Sequence, residues 1–293
     1  MMWSPGTAWL FCPADRPDRY LKGLALADTV VLDLEDAVAP LSKAMAREAV
    51  RDLVREGRFE SRRTVLRVNS ASSPEHSADL ELLREIGEAA PVVMLAKAES
   101  VTDLADLAGH SVIPLIESAW GVERSFEIAG ADTVVAVMWG ADDLVASLGG
   151  TASRLQDGRY RDIARFARSR VLLAAKCHAR YAVDAVFMDI SDLAGLRAEC
   201  EDAVAVGFDA TVAIHPSQVE VIRSAYRPDP VSVARARLLL ESAGAGGVTT
   251  FEGRMIDGPI VLQAQRVLER AASTRNFSGA NPNESATEES ERS

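Results

Sequence analysis

The 293-residue chain has few cysteines, and the three that it has, Cys12, Cys177 and Cys200, are widely separated. So few thiols, so far apart in the sequence, exclude a disulfide framework and a thiolate metal centre. The N-terminal residues also lack the charged start and apolar core of a signal peptide. From these absences we expect a protein of the reduced cytoplasm.

A basic excess and a long apolar run are missing as well. The chain has 32 Lys and Arg residues against 43 Asp and Glu residues, a formal net charge of −11. This balance argues against a nucleic-acid binder that relies on a broad basic surface. No apolar stretch approaches the roughly 18–20 residues needed to cross a bilayer. We therefore expect neither a nucleic-acid partner nor a membrane-inserted segment.

What the sequence does contain is a regular alternation of apolar, β-branched runs and helix-forming segments. We predict eight strands, at residues 9–14, 29–35, 64–69, 92–98, 111–117, 133–140, 185–191 and 210–216. Eight such alternations are typical of an α/β fold of the (β/α)₈ TIM-barrel class, with a doubly wound open sheet as the competing arrangement. In such a barrel the chemistry lies on the loops that follow the strands.

The chain continues beyond the eighth strand. We predict a barrel domain over residues 1–226 and a C-terminal helical extension over residues 227–273, which packs on the barrel or on a neighbouring subunit. Within the extension we expect residues 251–259 to form a loop. The tail, residues 274–293, is rich in Ser, Asn and Glu with almost no apolar side chains, so we expect it to be disordered.

Acidic residues follow the fifth and sixth predicted strands. Glu117 ends the run SVIPLIES, and Asp143 follows TVVAVMWGADD. Carboxylates at the ends of consecutive parallel strands would face the same mouth, and hard oxygen ligands with room for water suit Mg²⁺. We predict Glu117 and Asp143 as the Mg²⁺ ligands; the alternative is that each caps the helix after it. Asp142 is adjacent, but neighbouring side chains in a tight loop diverge, so Asp143 alone is assigned.

Two basic residues lie in the third and fourth predicted strands. Arg67, in VLRVN, suits a substrate carboxylate because its guanidinium is a planar fork, with a salt bridge to Glu35 or Glu117 as the alternative. Lys97, in MLAKAES, could form a Schiff base. Nearby carboxylates favour its charged form, however, so we favour an orienting role.

Five further residues have weaker signals. Glu35 and Asp36 end the second predicted strand. They either hold a metal-bound water, position a neighbouring Arg or Lys, or act structurally, with Asp36 as a helix cap and Glu35 paired to a base. Arg16 and Lys22 follow the first strand and could hold phosphates. His215 ends the eighth strand and either contacts a ligand or makes a structural hydrogen bond.

Together these segments resemble the citrate lyase β-subunit-like and malyl-CoA lyase family of Mg²⁺-dependent C–C lyases, within the HpcH/HpaI aldolase superfamily. The free-standing β-like proteins of actinobacterial type are the most similar. The matching motifs occur in the order of the family and cover roughly residues 9–272. They are LFCPADRP (10–17), VVLDLEDAVAP (30–40), LRVN (66–69), MLAKAES (94–100), LIESAWG (115–121), MWGADDLVASLG (138–149), AIHPSQ (213–218) and GRMIDGP (253–259).

The resemblance implies reversible cleavage of a 3-hydroxyacyl-CoA, of malyl-, citramalyl- or hydroxymethylglutaryl-CoA type, into an acyl-CoA and a carbonyl compound. It implies Mg²⁺ bound by Glu117 and Asp143, and a substrate carboxylate bound by Arg67. It also implies that Arg16 and Lys22 contact coenzyme A.

The resemblance further implies a homotrimer, or a multiple of trimers, in which Asp257 of a neighbouring subunit transfers a proton. Two other activities stay open: a citrate lyase β subunit acting on a citryl-acyl-carrier within a multi-subunit complex, and a class I aldolase using Lys97. The chain departs from the family pattern at Ala96, where proline is frequent, and at Asp142, where many relatives have glutamate.

Overall fold

The computed structural model describes residues 5–90, 92–243, 249–251 and 254–278. Residues 279–293 of the predicted tail and residues 252–253 of the predicted loop lie outside the described residues. The chain divides into two compact units, Met1–Arg223 and Ser224–Ser293. No helix among the described residues is both long and apolar enough to cross a membrane.

The first unit is built around a closed barrel of eight parallel strands, in the order of the sequence. The prediction of a (β/α)₈ barrel is therefore confirmed. The strands are β1 (Ala8–Pro13), β2 (Thr29–Asp33), β3 (Thr64–Val68), β4 (Val92–Leu95), β5 (Ser111–Ile116), β6 (Ala136–Trp139), β7 (Tyr181–Asp184) and β8 (Ala210–Ala213).

Helices follow the strands and cover the barrel. In α2, for example, Ala46, Val50 and Leu53 are buried at spacings of four and three residues, which gives the helix one apolar face toward the sheet. The helices of this unit are α1 (Pro17–Leu26), α2 (Lys43–Arg55), α3 (His76–Ile86), α4 (Ala119–Glu123), α5 (Ser125–Ala129), α6 (Ala141–Ser147), α7 (Asp162–Cys177), α8 (Leu193–Val206) and α9 (Pro216–Tyr226). Short 3₁₀ helices occupy Pro40–Ser42, Gly87–Ala89 and Val101–Leu107.

Alternate side chains of the strands fill the barrel interior. The interior cluster contains one or two residues of each strand: Trp9, Val31, Val65, Val92, Met94, Ile113, Leu115, Ala136, Met138, Val183, Ala210 and Val212. Side chains along a strand alternate between the two faces of the sheet, so residues two positions after a cluster member face inward again. This alternation puts Phe11, Asp33, Arg67 and Glu117 in the inward layer nearest the carboxyl ends of the strands.

The seventh strand lies earlier in the chain than the sequence predicted. We predicted residues 185–191, whereas β7 is Tyr181–Asp184 and has only four residues. The apolar run of 185–191 belongs to a loop, in which Phe187 is buried while Met188 and Ile190 are 57 % and 42 % exposed. A loop that buries one aromatic side chain imitates the pattern of a strand.

The second unit contains α10 (Pro230–Ala243), β9 (Thr249–Phe251), β10 (Arg254–Ile256) and α11 (Gly258–Ser278). The C-terminal helical extension is thus present. The predicted loop is instead an antiparallel pairing of β9 with β10, and it was missed because strands of three residues are too short to show an alternating pattern. Helix α11 runs to Ser278, beyond the expected limit at residue 273.

Candidate active site

Glu117 lies directly after β5 and is almost fully buried, with 3 % exposure. Its Oε1 accepts a hydrogen bond from the backbone N–H of Lys97 at 3.0 Å. A Cβ atom at position 140 would come within 2.7 Å of the Glu117 Oε2, so Gly140 leaves the space that this carboxylate occupies. Burial raises the pKa of Glu117 to about 8. The positive charge of Arg67 acts to lower this pKa, and the negative charge of Asp143 acts to raise it further. The carboxylate therefore lacks a full counter-charge.

Asp142 and Asp143 lie in the first turn of α6, and their side chains diverge as predicted. The side chain of Asp143 points toward Lys97, with its Oδ1 3.6 Å from the Lys97 Nζ. Asp142 accepts a hydrogen bond from the Ser153 Oγ at 2.6 Å. Of the two neighbours, Asp143 therefore shares the region of Glu117.

Arg67 projects from β3 between two carboxylates. Its Nε and Nη2 donate to the two oxygens of Asp33 at 2.7 Å and 2.5 Å, and its Nη1 lies 3.1 Å from the Glu35 Oε2. The guanidinium also lies over the ring of Phe11, 4.7 Å from its centroid. Burial works against the charge of Arg67, but these carboxylates prevail and raise its pKa. The predicted alternative, a salt bridge to Glu35, is thus present together with a second partner, Asp33.

Lys97 follows β4 in a left-handed backbone conformation, with φ of 51°. This region is unfavourable for a residue other than glycine, and such strain is often found at functional sites. The Lys97 Nζ contacts Glu35 and lies 3.1 Å from Asp36, so Asp36 pairs with a cation and the helix cap considered for it is absent. Burial opposes the ammonium charge, yet the hydrogen bond and charge of Glu35, with Asp36, raise the pKa of Lys97. A firmly protonated amine counts against a Schiff base.

A second polar group orders the turn that carries Glu35. The Lys43 Nζ donates to the backbone oxygens of Leu34 and Glu35 at 2.8 Å and 2.9 Å, and to the Asn69 Oδ1 at 2.9 Å. Asn69 in turn donates to the Leu34 oxygen at 3.1 Å. These contacts join the turn after β2, which carries Glu35, to the turn after β3.

The predicted coenzyme A contacts lie on exposed surface. Arg16 precedes α1, where its Nε lies 3.4 Å from the Asp18 Oδ1, and Lys22 is exposed within the same helix. His215 follows β8, with its Nδ1 2.8 Å from the Ser217 Oγ. That contact matches the structural hydrogen bond considered for His215. The roles of Arg16 and Lys22 in binding coenzyme A, and of His215 in contacting the substrate, stay predictions.

Asp257 belongs to the second unit and lies between β10 and α11. Its side chain is exposed, and its Oδ1 accepts a hydrogen bond from the backbone N–H of Ile260 at 3.3 Å. This is the contact of a residue that caps a helix. Its role in proton transfer stays a prediction.

Glu117 and Asp143 together could hold a Mg²⁺ ion. Both are carboxylates, the ligand type that Mg²⁺ prefers, and the charge of Glu117 is only partly compensated. Within the part of the chain that the structure describes, no group of three or more His, Cys, Asp or Glu side chains is arranged to hold a metal. Two protein ligands would leave other positions to water and substrate, as is usual for Mg²⁺.

Asp33 is the residue of this site that sequence reasoning missed. It ends β2 and is fully buried. The signal was an acidic residue inside the apolar run VVLDL, where a buried carboxylate needs a partner. That partner became evident only from the strand register, in which Asp33 lies opposite Arg67.

Comparisons with known proteins agree with the motifs. The family model described as HpcH/HpaI aldolase/citrate lyase matches residues 8–216. A citrate lyase subunit beta-like protein of Mycobacterium tuberculosis (strain CDC 1551 / Oshkosh) is 50 % identical over 267 residues, which cover 91 % of this chain and 96 % of the relative. The mitochondrial citramalyl-CoA lyase of Rattus norvegicus is 30 % identical over 302 residues, covering 92 % of this chain and 87 % of the relative.

Among solved structures, protein CitE from Mycobacterium tuberculosis, in complex with magnesium, acetoacetate and coenzyme A, superposes with a TM-score of 0.87. The two chains are 48 % identical, and the match covers 92 % of this chain and 100 % of CitE. The likeness therefore includes the extension as well as the barrel.

Proposed function

Because this chain belongs to the HpcH/HpaI aldolase/citrate lyase family, we propose that it is a Mg²⁺-dependent carbon–carbon lyase that cleaves a 3-hydroxyacyl-CoA. The products are an acyl-CoA and a carbonyl compound. The observation that carries the proposal is the buried, incompletely compensated Glu117 near Asp143 and Arg67. The citramalyl-CoA lyase among the relatives, and the magnesium- and coenzyme-A-bound CitE, support the same chemistry.

Cleavage breaks the bond between C2 and C3 of the acyl group. The electron pair of that bond passes to the thioester fragment as an enolate, the 3-hydroxyl loses its proton and becomes a carbonyl, and the enolate carbon then gains a proton. When bound at Glu117 and Asp143, Mg²⁺ supplies Lewis acidity and a template for the substrate's oxygens. Arg67 binds and orients the substrate's carboxylate, since its pKa is raised and it stays charged.

We assign the proton transfer at the enolate carbon to Asp257 of a neighbouring copy, in a homotrimer or a multiple of trimers. Asp257 is exposed at the start of α11 and hydrogen-bonded only loosely, at 3.3 Å, within its own helix. The extension, residues 227–273, would then pack on the adjacent subunit. This arrangement gives the second unit a catalytic purpose.

The Asp257 assignment predicts that Asp257→Asn keeps Mg²⁺ binding and loses about 10²–10⁴-fold in turnover, the usual contribution of a general acid or base. Asp229→Asn is the matched control, because Asp229 is also an exposed acid at the start of a helix of the same unit. Steady-state turnover and Mg²⁺-induced thermal shift are the measurements. Unchanged turnover in Asp257→Asn would remove Asp257 from the mechanism.

The function itself is tested with a panel of 3-hydroxyacyl-CoA thioesters of malyl, citramalyl and hydroxymethylglutaryl type, assayed with Mg²⁺ and with EDTA. We expect the purified chain alone to cleave at least one member with Mg²⁺ and none with EDTA. Arg16 and Lys22 would contact the coenzyme A part and His215 would contact the substrate, so variants that lack these side chains should raise KM more than they lower kcat. No cleavage of any member with Mg²⁺ would contradict the proposal.

Two alternatives give different results in the same assays. A citrate lyase β subunit would need its partner chains and an acyl-carrier, so the chain alone would be inactive on free thioesters. A class I aldolase would be trapped by borohydride on Lys97 and would stay active in EDTA. The raised pKa of Lys97 argues against this alternative, because a Schiff base needs the neutral amine.

We also propose a cytoplasmic location, which the three free thiols support.

A further inference from the structure

Asp33 makes more hydrogen bonds than any role as a simple counter-ion requires. Its Oδ1 accepts from the Arg67 Nε at 2.7 Å and from the backbone N–H of Glu35 at 2.8 Å. Its Oδ2 accepts from the Arg67 Nη2 at 2.5 Å and from the backbone N–H of Ala37 at 3.0 Å. One carboxylate thus fixes both the guanidinium of β3 and the turn after β2.

These contacts determine which donors Arg67 still offers. An arginine has five N–H groups. Asp33 takes one on Nε and one on Nη2, and Nη1 lies 3.1 Å from the Glu35 Oε2, so that at least one N–H is left on each terminal nitrogen. About 10 % of the Arg67 side chain is exposed. Two N–H groups on adjacent terminal nitrogens match the two oxygens of a carboxylate.

We propose that Asp33 is a positioning residue for substrate recognition. It holds the guanidinium of Arg67 in one plane, with Phe11 on one face, so that the two remaining N–H groups are directed at the substrate's carboxylate. It also couples that plane to the turn that carries Glu35. The inference rests on the proposed function, in which Arg67 binds the substrate's carboxylate.

Charge alone makes the opposite prediction, which allows the two explanations to be separated. Arg67 and Lys97 carry two positive charges in a contact network that also contains the carboxylates of Asp33, Glu35, Asp36 and Asp143. Replacing Asp33 by asparagine removes one negative charge from this network, so a purely electrostatic site would bind an anion more tightly. Loss of positioning would weaken the same binding.

The experiment measures calorimetric binding of pyruvate, a small 2-oxo carboxylate, to the full chain with saturating Mg²⁺. Pyruvamide, which lacks the carboxylate charge, is the matched probe. We expect Asp33→Asn to weaken pyruvate binding at least about tenfold, as when a hydrogen bond to a charged group is lost, while Mg²⁺ binding without pyruvate is unchanged.

Asp184→Asn is the control variant, because Asp184 is an equally buried aspartate that forks a different arginine, Arg168. It should leave the pyruvate affinity of the folded protein unchanged. Asp33→Glu is the second variant: it keeps the charge but lengthens the side chain, and it should weaken pyruvate binding even if Asp33→Asn does not fold.

Pyruvate affinity in Asp33→Asn or in folded Asp33→Glu equal to or above that of the wild type would overturn the proposal. So would an equal loss in Asp184→Asn, because the effect would then be one of general destabilisation. A wild-type chain that binds pyruvate no better than pyruvamide would remove the role of Arg67, and this proposal with it. If the wild type and both Asp33 variants all preferred pyruvate to pyruvamide to the same extent, the role of Asp33 would be contradicted while the role of Arg67 would stand.

Discussion

Two aspartate–arginine forks are buried in the barrel unit, and they are built alike. Asp33 accepts two hydrogen bonds from Arg67, and Asp184 accepts hydrogen bonds from the Nε and Nη2 of Arg168. Each arginine reaches a second carboxylate and lies over a phenylalanine ring, at 4.7 Å and 5.0 Å from the centroids. Their side chains are 10 % and 12 % exposed, so burial does not distinguish them.

What separates the two forks is the face of the strand from which each aspartate projects. Asp33 lies two residues after Val31 of the interior cluster and therefore faces inward. Asp184 is adjacent to Val183 of the same cluster and therefore faces the helices, where Arg168 of α7 meets it. Asp184 also accepts from the Trp139 Nε1 at 2.6 Å. Similar ion pairs thus lie on the two faces of the strands, and we propose recognition for the inward pair and packing for the outward one.

The largest effect on turnover is expected from Glu117→Gln, a change on the inward face of the barrel strands. Loss of an inward metal ligand should lower turnover about 10³-fold or more, because a Lewis acid contributes several kcal/mol to catalysis. The metal-free protein should not be destabilised, since burial already disfavours the charged form of Glu117. Turnover and the Mg²⁺-induced rise in Tm are the measurements.

Glu199→Gln is the control for this variant. Glu199 is a part-buried glutamate of α8, bound by Arg154 and Tyr160. Its replacement should lower Tm while the Mg²⁺-induced shift persists. If Mg²⁺ still raised the Tm of Glu117→Gln, Glu117 would not differ from Glu199 in metal binding and the assignment of Glu117 as a ligand would be wrong.

The outward fork should contribute to stability. Arg168→Met removes the partner of a buried carboxylate, Asp184, whose side chain is 2 % exposed. We expect a loss of about 3–5 kcal/mol in the free energy of unfolding, measured by urea denaturation. Turnover of the protein that stays folded at low temperature should match the wild type. A fall in that turnover comparable to the fall in Glu117→Gln would show that the outward fork takes part in function.

The inward fork should contribute to activity as well as to stability. Arg67→Met should lower kcat/KM about 10²-fold, as expected for lost hydrogen bonds to a charged carboxylate. Its loss of stability should be of the same order as that of Arg168→Met, because Asp33 keeps the backbone N–H groups of Glu35 and Ala37, and Asp184 likewise keeps the Trp139 Nε1 and a backbone N–H. Kinetics and urea denaturation on the same preparations test both statements. An unchanged kcat/KM in folded Arg67→Met would contradict the first statement, and very different losses of stability in the two variants would contradict the second.

The comparison also shows how far sequence reasoning extends. The barrel could be predicted because eight repeats of one pattern reinforce each other, and Glu117 and Asp143 could be picked out because strand ends meet at one mouth. Both inferences need only the order of elements along the chain. The prediction of the barrel is correct even though the boundary of β7 is shifted by several residues.

The parts that were missed depend on finer detail. Asp33 meets Arg67 because the register of β2 and β3 sets the two residues opposite each other. They are 34 residues apart in the chain, and no pattern in a single sequence shows the register between two such strands. Strand β7 was missed because a longer apolar run, residues 185–191, follows it directly. Strands β9 and β10 have three residues each, too few for an alternating pattern to distinguish them from loops. The role predicted for Asp257 rests on the family resemblance alone.

The smallest effect is expected at Asp142, whose neighbour Asp143 is the proposed ligand. Asn can still accept the hydrogen bond that Ser153 donates to Asp142 at 2.6 Å, so Asp142→Asn should lower turnover less than about tenfold. Asp143→Asn, one residue away, should abolish the Mg²⁺-induced rise in Tm. Mg²⁺ titrations of the two variants measure the difference. If Asp142→Asn lost the metal and Asp143→Asn kept it, the direction in which each side chain points would not predict its function.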